Sequence, residues 1–296
     1  MTSAVKSKLQ LTTSMLIFSS IGIFVRYIPM PSSIIAFVRG LIGMFFLLVV
    51  MLVTRTKISW KNIRNNLLIL LLSGAAIGFN WIFLFEAYNY TTVATATLTY
   101  YLAPFFVMLA SPLFLKEKLT VKQIFCLAGA LTGMFFVSGM IKNGIPPAEE
   151  MKGILFGLSA AVLYATVIIL NKKLGEISAY EKTTMQLGAA AVVVLPYFLI
   201  TEDITAIETT PLTVVMLLIT GIIHTGIAYV LYFNSMKDLK AQTVAIFSYI
   251  DPAVAIILSA VILNEKPDIY GIIGAVLVLG CALINELNFS KAVKQK

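Results

Sequence analysis

Residues 244–263 read VAIFSYIDPAVAIILSAVIL. Twenty apolar residues are one bilayer crossing as a helix, yet Asp251 and Pro252 stand at the centre of this one. A carboxylate at mid-membrane costs roughly 2.5–3.5 kcal/mol even on lenient insertion scales. The rest of the chain says whether a membrane is the right setting. Of its 296 residues, 59% are hydrophobic and 12% charged, and the mean hydropathy is +0.94. A soluble core of this size has no need of so much apolar surface, so the composition predicts a polytopic, all-helical membrane protein.

Apolar runs broken by short polar turns predict ten spans, at 9–28, 31–53, 66–88, 91–115, 119–141, 151–171, 180–200, 211–235, 241–263 and 268–287. Residues 9–28 follow Lys6 and Lys8 as a signal peptide would, but no small-residue cleavage site follows, so they read as a retained first helix. The net charge of +8 sits in short loops and is a topology signal, not a nucleic-acid footprint. Counting Lys and Arg by side gives 17 against 4, with Arg39 inside a span. That asymmetry predicts both termini in the cytoplasm of a plasma-membrane protein. Cys126 and Cys281 fall inside apolar runs and read as small packing residues. Gly129-x3-Gly133 and Gly153-x3-Gly157 read as close helix contacts.

Shifting the chain by 148 residues aligns 78–118 with 226–266 without a gap. Nine of the 41 positions are identical, among them Gly78/Gly226, Phe85/Phe233, Tyr101/Tyr249, Pro104/Pro252 and Glu117/Glu265; roughly three are expected by chance. The spans therefore group as five plus five, with halves at 1–145 and 146–296. An odd-numbered repeat enters the membrane from opposite sides, which makes this an inverted repeat of the secondary-transporter kind.

The stretches FEAYNYTTVATATLTYYLAPFFVMLASPLFLKEKLT at 85–120 and GIIHTGIAYVLYFNSMKDLKAQTVAIFSYIDPAVAIILSAVILNEK at 221–266 carry a family resemblance over nearly the whole chain. The chain resembles the ten-helix EamA-like transporters of the drug/metabolite transporter superfamily. The doubled proline-to-glutamate ending of the fourth and ninth spans is its most specific mark. The resemblance implies a small-molecule substrate held between two five-helix halves and alternating access, with export favoured; no cofactor is expected. It implies no particular substrate.

Within the spans, a few polar residues are candidates for substrate or proton binding. Proline removes the helical hydrogen bond to the carbonyl four residues earlier, so Pro252 frees the carbonyl of Ser248 and Pro104 that of Tyr100. Both prolines read as hinges. Ser248, Asp251 and Ser259 fall within about 80° on a helical wheel, a narrow polar stripe. Asp251 reads either as a titratable group facing a watery cavity or as a buried hydrogen bonder at the kink. His224, the one histidine, lies at a similar depth and could form a proton site with it, or be a core residue satisfied by a hydrogen bond. Arg39 needs a partner, and by depth Glu86 is the best carboxylate for it. Asn80, Trp81, Tyr100, Tyr101 and Tyr249, with Tyr229 and Tyr232, are mid-bundle polar or aromatic groups that could stack on a ligand or simply pack.

Other classes fit less well. HExxH, GxSxG, a Walker A loop and paired intramembrane aspartates are all missing from the sequence, and one histidine cannot build a multi-histidine metal site. The partners expected are the lipid bilayer, a small solute and protons as coupling ion, with a monomer or weak homodimer as the assembly. A non-coupled facilitator, and a receptor or flippase without solute transport, are the alternatives.

Overall fold

A computed structural model describes residues 3–114, 120–137, 147–202, 209–235, 239, 250–264 and 267–286. Every regular element among them is a helix. In chain order these are α1 (Ser3–Arg26), α2 (Ser32–Val53), α3 (Trp60–Tyr90), α4 (Val93–Tyr100), α5 (Ala103–Phe114) and α6 (Val121–Val137). There follow α7 (Ala148–Lys172), α8 (Ala179–Thr201), α9 (Pro211–Gly221), a π-helical segment (Ile222–Ile227), α10 (Ala228–Ser235), α11 (Ile250–Ile262) and α12 (Ile269–Glu286). Seven helical stretches are long and apolar enough to cross a membrane. Two further apolar helices, Ile124–Gly133 and Ile269–Cys281, are shorter.

The helix ends follow local chemistry. Ser59 caps α3, accepting from the Asn62 amide at 3.4 Å, and this start carries the helix six residues past the predicted boundary into the polar run 60–65. Ser178 and Glu181 form a reciprocal capping box at the start of α8. The other oxygen of Glu181 accepts the backbone amide of Ser59, which ties the α7–α8 turn to the start of α3. Asn66 adds to that tie through the Gly175 amide at 2.8 Å. Gln186 donates to Ser73 at 2.6 Å and to Asn171 at 3.1 Å, so three helices share one buried amide.

Two predicted spans are not continuous α-helices. The span at 91–115 breaks after Tyr100: the Tyr101 amide bonds Thr97 and the Leu102 amide bonds Thr99. The cause is Pro104, which has no amide to claim the Tyr100 carbonyl and which is tolerated at the first turn of the new helix α5. The chain therefore breaks between α4 and α5 at this point instead of kinking within one helix. In the span at 211–235 the π segment widens the helix by one residue per turn. The Thr225 hydroxyl donates to the carbonyl of Thr220, five residues back, at 2.8 Å. Such single-turn widenings concentrate at functional sites.

Glycines bring the central helices close. At Gly74 an added Cβ would lie 2.6 Å from the Gln186 carbonyl oxygen and 2.6 Å from the Ala189 Cβ, so α3 and α8 touch backbone to backbone there. Gly43 of α2 does the same against Gly221 and Thr225, with 3.2 Å to the Gly221 carbonyl. α3 packs on α7 and α8, while α2 packs on α8, α9 and the π segment. α1 packs on α10 and α11, α4 on α7 and α11, and α6 on α12.

Candidate functional site

Where these helices meet, their side chains build an aromatic shell around two ionisable groups. α3 contributes one face, Trp81, Phe85 and Tyr88, at the i, i+4, i+7 spacing that stacks side chains along a helix. Tyr229 on α10 completes it: the Trp81 indole donates to the Tyr229 hydroxyl at 3.1 Å, with the rings edge-on at 6.0 Å. Tyr164 on α7 and Tyr232 on α10 share a hydroxyl–hydroxyl bond of 2.8 Å. Tyr100 lies against Tyr101 at 5.6 Å and Tyr164 at 5.4 Å between ring centres. Asn80 is buried, donates to the Ala160 carbonyl at 2.6 Å and meets the Tyr100 hydroxyl.

Arg39 is 2% exposed. Its guanidinium carbon stands 4.3 Å from the centre of the Trp81 ring and 5.3 Å from that of Phe85. Its Nε donates to the Thr225 hydroxyl at 2.9 Å. Because Thr225 spends its own proton on Thr220, its lone pairs are free for the arginine, and the π turn thus sets the height at which Arg39 is held. The expected Arg39–Glu86 ion pair is absent. Glu86 follows Phe85 by one residue, about 100° around the helix. It is half-buried there and hydrogen-bonded by Asn89 at 3.4 Å. The ring faces of Trp81 and Phe85 take the guanidinium instead.

Asp251 lies in the first turn of α11, half-buried, with its carboxylate accepting from the Tyr101 hydroxyl. That bond runs from the turn between α4 and α5 to α11. The expected His224–Asp251 site is not formed. His224, 2% exposed, turns toward α1: its Nε2 is 3.0 Å from the Ser20 hydroxyl and its Nδ1 3.3 Å from the Ile219 carbonyl. The ring of Phe24 stands 4.9 Å away. The Ile219 carbonyl it meets lies five residues back, the spacing of the π segment that holds His224. Ser248 and Tyr249 lie outside the described residues. Pro252 falls within α11 beside Asp251.

A model of the EamA-like transporter family matches residues 7–139 and, a second time, residues 151–286. The chain belongs to the EamA-like transporter family. Among its relatives, the uncharacterized transporter YxxF of Bacillus subtilis is 33% identical over 280 residues, spanning 93% of this chain and 88% of that one. The uncharacterized transporter YoaV of the same organism is 25% identical, spanning 88% and 89%. A crystal structure at 19% identity superposes over 94% of this chain and 96% of its own with a TM-score of 0.70, a likeness of fold. These relatives make the chain a multi-pass membrane protein and a transporter of small solutes.

Four members of this EamA-like transporter's aromatic shell escape a reading by residue type: Phe85, Tyr88, Tyr164 and Thr225. For Phe85 and Tyr88 the signal is present, since both lie on the Trp81 face of one helix at i+4 and i+7. Thr225 has no such signal. Its role depends on a π turn that hydropathy does not encode.

Proposed function

We propose that this chain is a secondary carrier that moves a small organic solute across the plasma membrane by alternating access, with protons as the coupling ion and export as the direction. Ten spans form two inverted repeats, 1–145 and 146–296, with both termini in the cytoplasm. The observation that carries this reading is the Trp81–Tyr229 hydrogen bond. The two residues are 148 apart, the repeat offset, and equivalent residues that touch each other lie on the axis relating the halves. Paired contacts support the same axis. Gly78 meets Val194 and Gly226 meets Phe46, and Phe46 and Val194 are themselves 148 apart. The packing of α1 on α10 and α11 is the counterpart of that of α7 on α3 and α5. The twofold match of the family model fits a duplicated unit.

In this reading the aromatic shell is the solute chamber, with Arg39, Trp81, Asn80, Tyr100, Tyr101 and Asp251 facing it. The Tyr101–Asp251 bond joins the halves, so protonating the carboxyl removes a charged acceptor from the contact that must part when the halves rock. Pro104 and Pro252 give those helices places to bend. His224, tied to α1, holds that helix to the second half.

Sidedness tests the inverted repeat. Single cysteines at Lys57 and Glu176 should react with a membrane-impermeant maleimide only from the cytoplasmic side, and those at Ala148 and Thr210 only from the opposite side, in a background without Cys126 and Cys281. Labelling of Lys57 and Glu176 positions from opposite sides contradicts the proposed topology.

A further inference from the structure

Arg39 is the one ionised group in the shell whose own hydrogen-bonding capacity is conspicuously unused. Among the described residues no carboxylate lies within ion-pair distance of it, and its two Nη nitrogens have no hydrogen-bond partner. Its anchoring nevertheless uses three other groups: the Trp81 ring, the Phe85 ring and the Thr225 hydroxyl. A buried cation held by ring faces and one neutral acceptor keeps most of its charge available, and a guanidinium fork matches the two oxygens of a carboxylate. Around it stand Tyr229, Tyr88 and Tyr100, which offer ring surface and hydroxyls but no negative charge.

We propose that Arg39 is the receptor for the carboxylate of the transported solute, and that the solute is a monocarboxylate with an apolar or aromatic body. This rests on the carrier reading above and names its substrate class. One guanidinium balances one negative charge; a phosphate dianion or a dicarboxylate would leave charge uncompensated among buried rings. Asp251 also faces Tyr88 and Tyr100, and its carboxyl repels a second negative charge further. The rings of Trp81, Tyr100 and Tyr229 suit an apolar body better than a sugar or a polar chain. Thr225 is then a positioning residue, holding Nε so that the Nη edge is left for the ligand.

The reporter for the test is built in. The chain has two tryptophans, and Trp60 is 71% exposed at the start of α3, so W60F leaves Trp81 as the sole tryptophan, selectively excited at its red edge and directly under the guanidinium. The purified full chain in detergent is titrated with acetate, hexanoate, benzoate, phenylacetate and indole-free cinnamate, each against its neutral amide, and with phenylphosphonate and succinate. The expected result is saturable quenching or enhancement of Trp81 emission by one or more apolar monocarboxylates, at least about tenfold stronger than by the matching amide. R39Q abolishes it. R39K, which keeps the charge but loses the fork, binds about tenfold more weakly, and it carries the test if R39Q does not fold. Equal responses to acid and amide across the panel, no response to any acid, or an undiminished response in R39K and R39Q overturns the proposal. Phenylphosphonate or succinate binding more tightly than every monocarboxylate overturns the charge argument. Because binding is read without a membrane, acid binding with no flux in vesicles sinks the carrier reading alone, while flux of amides independent of Arg39 sinks this inference alone.

Discussion

Gly74→Leu should leave little or no folded protein. A single Cβ at this position already meets the Gln186 carbonyl oxygen and the Ala189 Cβ, each at 2.6 Å, and the Gln186 Cα at 3.1 Å. Two of these are backbone atoms of α8, which cannot rotate away as a flexible side chain can. Overpacking of this kind costs about 1–3 kcal/mol for added methylenes that a core can partly absorb, and leucine adds three carbons beyond the Cβ. The contact it breaks is central, since α3 and α8 also share the Gln186–Ser73 bond and the Glu181–Ser59 tie. Gly280 is the control: nothing lies within 4 Å of an added Cβ there, so Gly280→Ala should keep or raise stability through helix propensity, by up to about 1 kcal/mol. Fluorescence-detected size exclusion and the apparent Tm check both. A monodisperse Gly74→Leu with a Tm near that of the parent would show that α3 and α8 are not held at this distance.

Asp251→Asn should reduce proton-driven solute movement to the level of protein-free vesicles, while solute binding and folding survive. The substitution keeps size and keeps an oxygen that can accept from Tyr101, but it removes the proton-binding oxygen. The two readings of Asp251 therefore separate. A fixed hydrogen bonder would tolerate the amide, with flux and its pH dependence unchanged. A coupling carboxyl would not, because the Tyr101–Asp251 link between the halves could no longer change with protonation. The measurement is flux into proteoliposomes with an imposed pH gradient, run beside the Trp81 titration to show that the variant is folded.

Much of the framework is legible in the sequence because a bilayer imposes a strict length and hydropathy on each crossing. The first, second, seventh and eighth predicted spans match helical segments within a few residues, apart from α1, which starts six residues before its predicted span. The break between α4 and α5 is also legible, since Pro104 marks the position where an amide is missing; its depth is not, because a proline can kink or end a helix depending on what its freed carbonyl meets. Side-chain pairing is the poorest guide. Depth along the membrane normal pointed to Glu86 as the partner of Arg39, but depth says nothing of angle, and Glu86 lies about 100° from the face that Arg39 meets. His224 and Asp251 share a depth as well. The imidazole nevertheless meets Ser20 and Ile219. Ring faces serving as the arginine's partners are invisible to any search for opposite charge, although Trp81 and Phe85 stand at helical spacing opposite Arg39.

Solute counterflow in proteoliposomes tests the carrier account most directly. Vesicles preloaded with an excess of unlabelled solute from the acid panel are diluted into a trace of the labelled solute. The account predicts a transient, saturable accumulation of label that depends on the solute inside and disappears when Arg39 is replaced by Gln, because each inward trip of the chamber returns loaded from the other side. Label entry that rises linearly with concentration and ignores the internal solute would contradict it, since a site that is open to both sides at once moves solute without exchange.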